Sequence, residues 1–163
     1  MTIVHFIHGL EGSPHGNKAR VLAAHFDAET LAMNTSDFEQ CVALHAERLR
    51  SRPPDVVIGS SFGGAVAVAL LQNGAWTGPT LLLAQAALRR GLPPDLPVGV
   101  RVWLVHGTGD DVISIEDSRL IAQANRRPEV RLVLVDDDHS LHESTANGAL
   151  VAWVRDITRP ENS

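Results

Sequence analysis

Six short apolar runs punctuate the chain, at Thr2 to Ile7, Thr30 to Met33, Asp55 to Ile58, Thr80 to Leu83, Val100 to Val105 and Val130 to Val135. They are continuous rather than alternating, which marks strands buried on both faces of a sheet. Between them lie segments with apolar residues at helical spacing. The spacing predicts helices over Asn17 to Phe26, with Asn17 as N-cap, and from Thr35, Ser36 and Asp37 to Leu49, closed by Pro53 and Pro54. Further helices are predicted over Gly63 to Leu71, Glu116 to Arg126 and Leu141 to Asp156. Strands alternating with helices imply an α/β three-layer sandwich around a mostly parallel sheet. With no internal repeat, low-complexity tract or long linker in 163 residues, one domain over 1–163 is expected.

Charge and cysteine content narrow the partners. Fourteen basic against nineteen acidic residues give a net charge of −5, and Lys18 is the sole lysine, so no basic stripe is available for a phosphate backbone. Nucleic acid is therefore not expected as a partner. Cys41 has no second cysteine to pair with, which favours a reducing compartment. The apolar runs fall far short of the roughly 20 residues of a membrane span, and Met1 to Val4 lack a signal's basic start. A cytoplasmic location without membrane contact is expected.

The third apolar run leads directly into Gly59-Ser60-Ser61-Phe62-Gly63, a G-x-S-x-G pattern at a strand-to-helix turn. Such a turn pushes the side chain of the middle residue, Ser61, into the cleft above the strand ends, while flanking glycines admit close backbone neighbours. Ser60 does not fit, because Ile58 stands two residues before it. The bland reading of the pattern is a glycine-rich turn with a serine N-cap. A nucleophilic serine needs a base and an acid to orient that base. The fifth run ends in His106-Gly107-Thr108-Gly109-Asp110-Asp111, and the sixth in Asp136-Asp137-Asp138-His139. Both fall at the sheet edge where open α/β folds place ligands.

These residues resemble the α/β-hydrolase superfamily, and specifically its small, lidless members related to the YqiA-type esterases. The resemblance runs from Ile3 to about Val154 and rests on His8-Gly9, the Gly59 to Gly63 elbow, His106-Gly107-x-x-Asp110-x-x-Ile113, and Asp138-His139-Ser140-Leu141. It implies a six-stranded sheet of order 2-1-3-4-5-6 and no cofactor. It implies a catalytic triad of Ser61 as nucleophile, Asp110 as acid and His139 as base. The oxyanion hole is then formed by the backbone N–H groups of Leu10 and Phe62. Asp111 rivals Asp110, and His142 rivals His139.

The implied function is hydrolysis of small carboxylic esters or thioesters through an acyl-enzyme, with lactones and amides open to the same machinery. The alternative is a catalytically silent binding module on the same fold. A metal-dependent reading would draw on His139, His142, His8, His15 and Asp136 to Asp138, but no H-E-x-x-H or comparable ligand set is present, and no metal is expected. The Gly9 to Gly16 loop lacks phosphate-cradle spacing. His5, His25 and His45 are expected to be satisfied or solvated side chains, Arg89, Arg90, Arg126 and Arg127 solvated ends, and the three tryptophans packing residues. Larger relatives insert a cap after the fourth strand. Here only Gln85 to Gly99, with three prolines, is available, which allows a flap and an open, shallow site.

Overall fold

The computed structural model describes residues 1–161. Strands β1 (Ile3–Ile7), β2 (Asp27–Thr30), β3 (Val56–Ser60), β4 (Thr80–Leu83), β5 (Val102–Gly107) and β6 (Val130–Val135) form one sheet. Its order is β2-β1-β3-β4-β5-β6 and every neighbouring pair is parallel. The order reverses between β1 and β3, so a crevice opens beyond the carboxyl ends of these strands.

Successive strand residues point to opposite faces, and each face is covered. Val57, Leu82 and Leu104 face α2 (Phe38–Ser51), α3 (Phe62–Gln72) and α4 (Ile115–Ala124), where Leu49, Val66, Leu70 and Ile121 meet them. Val56, Ile58, Leu81, Leu83 and Val105 face α1 (Asn17–His25) and α6 (Ala149–Ile157), meeting Leu22, Leu150 and Val154. Most of these side chains are fully buried, and each stabilises the fold by about 1.5–3 kcal/mol relative to exposure. No helix among the described residues is long and apolar enough to cross a membrane.

Three sequence expectations shift. β2 lies three residues before the predicted Thr30 to Met33 run, because Asp27 and Glu29 pair in register with Ile3 and His5 on an edge strand that needs no apolar pattern. Arg52 and Arg48 hold those two carboxylates. The closing helix is two: α5 (His142–Ala146) and α6 are separated at Gly148, whose φ of 90° ends one and starts the other. Asn17 opens α1 as its first helical residue, and Gly16 is the N-cap. By contrast, Asp37 caps α2 as expected, accepting from Gln40 N–H at 3.0 Å.

Residues Gln85 to Gly99 form no flap over the crevice. A short 3-10 turn (Leu88–Arg90) starts the segment, the Gln72 amide donates to the carbonyls of Pro93 and Asp95, and Asn125 accepts from Leu96 N–H. These bonds strap it against α3 and α4. Leu96 and Val100 are buried there.

Candidate active site

Ser61 sits between β3 and α3 with φ 54° and ψ −113°, a strained conformation for a residue with a side chain, worth about 1–3 kcal/mol. The surrounding backbone holds it there. Ser61 N–H donates to Leu83 carbonyl, and its own carbonyl accepts from Ala65 and Ala86 N–H. The two elbow glycines are required by contact. A Cβ on Gly59 would stand 2.4 Å from the carbonyl oxygen of Gly63, and a Cβ on Gly63 would stand 2.0 Å from that of Ile7. Neither gap admits a carbon atom.

His139 lies in the loop after β6, and Asp110 in the loop after β5. The Gly109 N–H donates to the Asp137 carbonyl, which ties the two loops together. Nε2 of His139 is 3.0 Å from Ser61 Oγ, and Nδ1 is 2.7 Å from Asp110 Oδ2. A carboxylate only accepts, so Nδ1 carries the proton and the Nε2 lone pair faces the serine hydroxyl. The Asp110 side chain is fully buried. Burial alone would raise its pKa, but N–H donation from Ile113, His139 and Val112 outweighs burial and holds the carboxyl below its ordinary value. Oδ1 takes the Val112 and Ile113 amides at 2.9 and 2.8 Å, leaving Oδ2 to the imidazole.

The rivals fall outside this line. Asp111 is exposed, and His142 opens α5, its amide bound to Asp138. The acidic run before His139 builds its loop: Asp137 accepts from the amides of Asp138, Glu143 and Ser144, and Asp138 from Ser140 Oγ and His142 N–H. Leu141, buried with φ 51°, completes the turn. Among the described residues no group of three or more His, Cys, Asp or Glu could hold a metal ion.

A cleft of about 390 Å³ opens over these residues, with Phe6, Leu10, Lys18 and Val112 in its walls. Leu10 and Val112 expose apolar side chains at the rim. Gly9, just before Leu10, packs against the elbow, where an added Cβ would be 3.3 Å from Ser60 O and Ser61 Cβ. Phe62 is the first residue of α3, a position where backbone N–H groups have no partner within the helix.

Two contacts of the neighbourhood are not legible in the sequence. Lys18 Nζ donates to the Ser140 carbonyl beside His139, and His106 lies buried behind Asp110. Lys18 has no sequence signal beyond its position at a helix start, and the His106-Gly107-x-x-Asp110 pattern does not itself reveal that the imidazole touches the carboxylate.

No family model and no curated protein matches the sequence. Solved structures do. A protein from Xanthomonas campestris pv. campestris ascribed to the hydrolases of the α/β superfamily aligns at 22% identity over 96% of each chain, with a TM-score of 0.75. This chain has the α/β-hydrolase fold. The α/β hydrolase domain-containing protein 10 from mouse aligns at 15% identity over 95% of this chain and 88% of its own, TM-score 0.78. The esterase domain of a Rhodothermus marinus protein aligns at 20% identity over 97% and 88%, TM-score 0.69. The parallel sheet of order 2-1-3-4-5-6, with only a short 3-10 turn between β4 and β5, matches that fold without a cap.

Proposed function

We propose that the chain is a cofactor-independent serine hydrolase that cleaves small carboxylic esters or thioesters. The single observation that carries this is the unbroken line from Asp110 Oδ2 through both nitrogens of His139 to Ser61 Oγ, at 2.7 and 3.0 Å. His139 takes the Ser61 proton as Oγ attacks the acyl carbonyl, and Asp110 supports the imidazolium that forms. The Phe62 and Leu10 amides receive the developing oxyanion. His139 then gives the proton to the leaving alkoxide or thiolate, leaving an acyl-serine. Water, deprotonated by His139, attacks that ester, and Ser61 regains its proton as the acid departs.

Esterase names among the structural neighbours support hydrolysis of esters. The open cleft and the strapped-down Gln85 to Gly99 segment favour short acyl groups, since no element among the described residues covers a long chain. The test is hydrolysis of p-nitrophenyl esters of rising acyl length by wild type and Ser61→Ala, with and without chelator. Wild type should favour acetyl or butanoyl over hexadecanoyl, ignore chelator, and lose activity on Ser61→Ala. Chelator-sensitive activity that survives Ser61→Ala would indicate a metal hydrolase instead.

A further inference from the structure

Behind Asp110 the structure contains a second imidazole. His106, the penultimate residue of β5, is fully buried, and so is the side chain of Asp110. His106 Nε2 stands 3.1 Å from Asp110 Oδ2, the oxygen that faces His139, and 2.8 Å from the Ile113 carbonyl. Both neighbours only accept, so Nε2 carries a proton and donates it to Ile113, with its positive edge against Oδ2. Ile113 is also the residue whose N–H binds Asp110 Oδ1. One imidazole therefore fixes the far end of the Asp110 turn and leans on the carboxylate itself.

The other face of the ring sets its charge. The Ala87 N–H donates to Gln85 Oε1 at 2.8 Å, which orients that amide, and Gln85 Nε2 then donates to Ser118 Oγ at 3.0 Å. Having accepted from Gln85, the Ser118 hydroxyl is free to donate to His106 Nδ1, 2.8 Å away. Every proton along the chain from Ala87 to Asp110 thus has one consistent direction, and it leaves His106 neutral with Nδ1 as acceptor. All three side chains, Gln85, Ser118 and His106, are fully buried. A buried polar network of this kind persists only when each member is satisfied.

We infer that His106 is a positioning residue for the triad acid, a neutral imidazole that Gln85 and Ser118 hold in one orientation so that Asp110 Oδ2 stays aimed at His139. The inference rests on the serine hydrolase reading of Ser61, Asp110 and His139. The titratable groups around the carboxylate are His106 from β5 and His139 from the loop after β6. Lys18, with Asp137 and Asp138, lies beyond, at Ser140.

The test compares wild type with His106→Leu, His106→Gln and Ser118→Ala, each normalised by active-site titration with a fluorophosphonate. His106→Leu should lower kcat by about 10- to 100-fold, within what a well-placed base contributes, with KM changed less than about threefold. The acid limb of its pH profile should move to higher pH, because Asp110 Oδ2, no longer facing the His106 N–H, interacts more strongly with a proton added to His139. His106→Gln, which retains an N–H donor at similar reach, should restore much of both effects, and Ser118→Ala should fall between. A packing role alone would reduce the titratable fraction and leave the limb in place. Wild-type kcat per titrated site with an unmoved limb in His106→Leu overturns the inference.

Imidazole ¹⁵N spectra of wild type, with His106 assigned by its loss in His106→Gln, provide a readout that does not depend on turnover or on the Leu variant folding. A neutral Nε2–H form at pH 7 is expected, and an imidazolium or Nδ1–H form overturns the wiring. If folded wild type neither titrates nor hydrolyses esters, the hydrolase reading fails, and the spectrum still decides the wiring.

Discussion

Nδ1 of His139 meets Oδ2 of Asp110 at 2.7 Å across a sequence separation of 29 residues, and it does so because the loops after β5 and β6 are bound to each other at Gly109 and Asp137. The contact fixes which imidazole nitrogen faces Ser61. Asp110→Asn should therefore cost about 10⁴-fold in kcat, the scale seen when a triad loses its correct tautomer. With the amide oxygen kept by the Val112 and Ile113 N–H groups, the Asn Nδ2 opposes the N–H groups of His139 and His106, so stability falls as well. Steady-state kinetics and a thermal melt on the same sample check both effects.

The elbow should tolerate no added carbon. Gly63→Ala would force a methyl group to within 2.0 Å of the Ile7 carbonyl, where only backbone movement of β1 or α3 could relieve it. A loss of more than about 3 kcal/mol, or failure to fold, is expected, because overpacking against rigid backbone exceeds the usual 1–3 kcal/mol. Urea unfolding measures it, and a melt within a few degrees of wild type would contradict the contact.

Lys18 bridges α1 to the His139 loop through the Ser140 carbonyl. Burial is the main cause that holds its pKa below the ordinary lysine value, with Asp138 and Asp137 opposing. Lys18→Met keeps the aliphatic stem and removes the tie. A fall in kcat of a few-fold with little change in KM is expected, read from kcat and KM on one short-chain ester.

Stability should weaken in mild acid through a buried imidazole pair. His5 Nε2 lies 2.8 Å from His45 Nδ1, and His45 Nε2 lies 3.3 Å from the Met33 sulfur. Sulfur accepts only, so His45 donates to Met33 and accepts from His5, and both rings are neutral. Burial is the main cause that lowers His5 to about 4, with Arg48 and Arg52 adding to it against Glu29; burial, then His5 and His8, lowers His45 to about 3. Both folded values lie below the ordinary 6.5, so the unfolded chain takes up protons first. The pair's contribution is complete above about pH 6.5 and is lost as pH falls toward about 4. A tenfold difference in proton affinity between the folded and unfolded chain is worth about 1.4 kcal/mol, so a few kcal/mol should disappear between pH 7 and pH 5. The depressed carboxylates Asp110, Asp137 and Glu29 act in the same direction, but only below about 4.5. Urea unfolding at pH 7 and pH 5 tests this, and equal stabilities would contradict it.

The sheet and the elbow are legible in the sequence because continuous apolar runs and a glycine-bracketed serine each have one economical structural solution. Strands β4 and β6 match their predicted bounds, and the structure brings Ser61, Asp110 and His139 within hydrogen-bond distance of one another in a line. Hydropathy misplaces β2, because an edge strand held by Arg48 and Arg52 carries charge where an apolar run is sought. The break at Gly148 is hidden because apolar spacing continues across it. Arg90 is among the arginines expected to be solvated, yet its guanidinium lies 5.1 Å from the Phe62 ring centroid and 5.2 Å from that of Phe38. Arg127 likewise binds Glu129 and the Leu96 and Pro97 carbonyls. Such contacts arise from tertiary packing and leave no pattern in the sequence.

Covalent capture of the proposed nucleophile addresses the whole account at once. Folded protein incubated with a fluorophosphonate and analysed by intact mass and peptide mapping should gain one adduct, on Ser61, and Ser61→Ala should gain none. An unlabelled wild type, or an adduct that persists in Ser61→Ala, would contradict it.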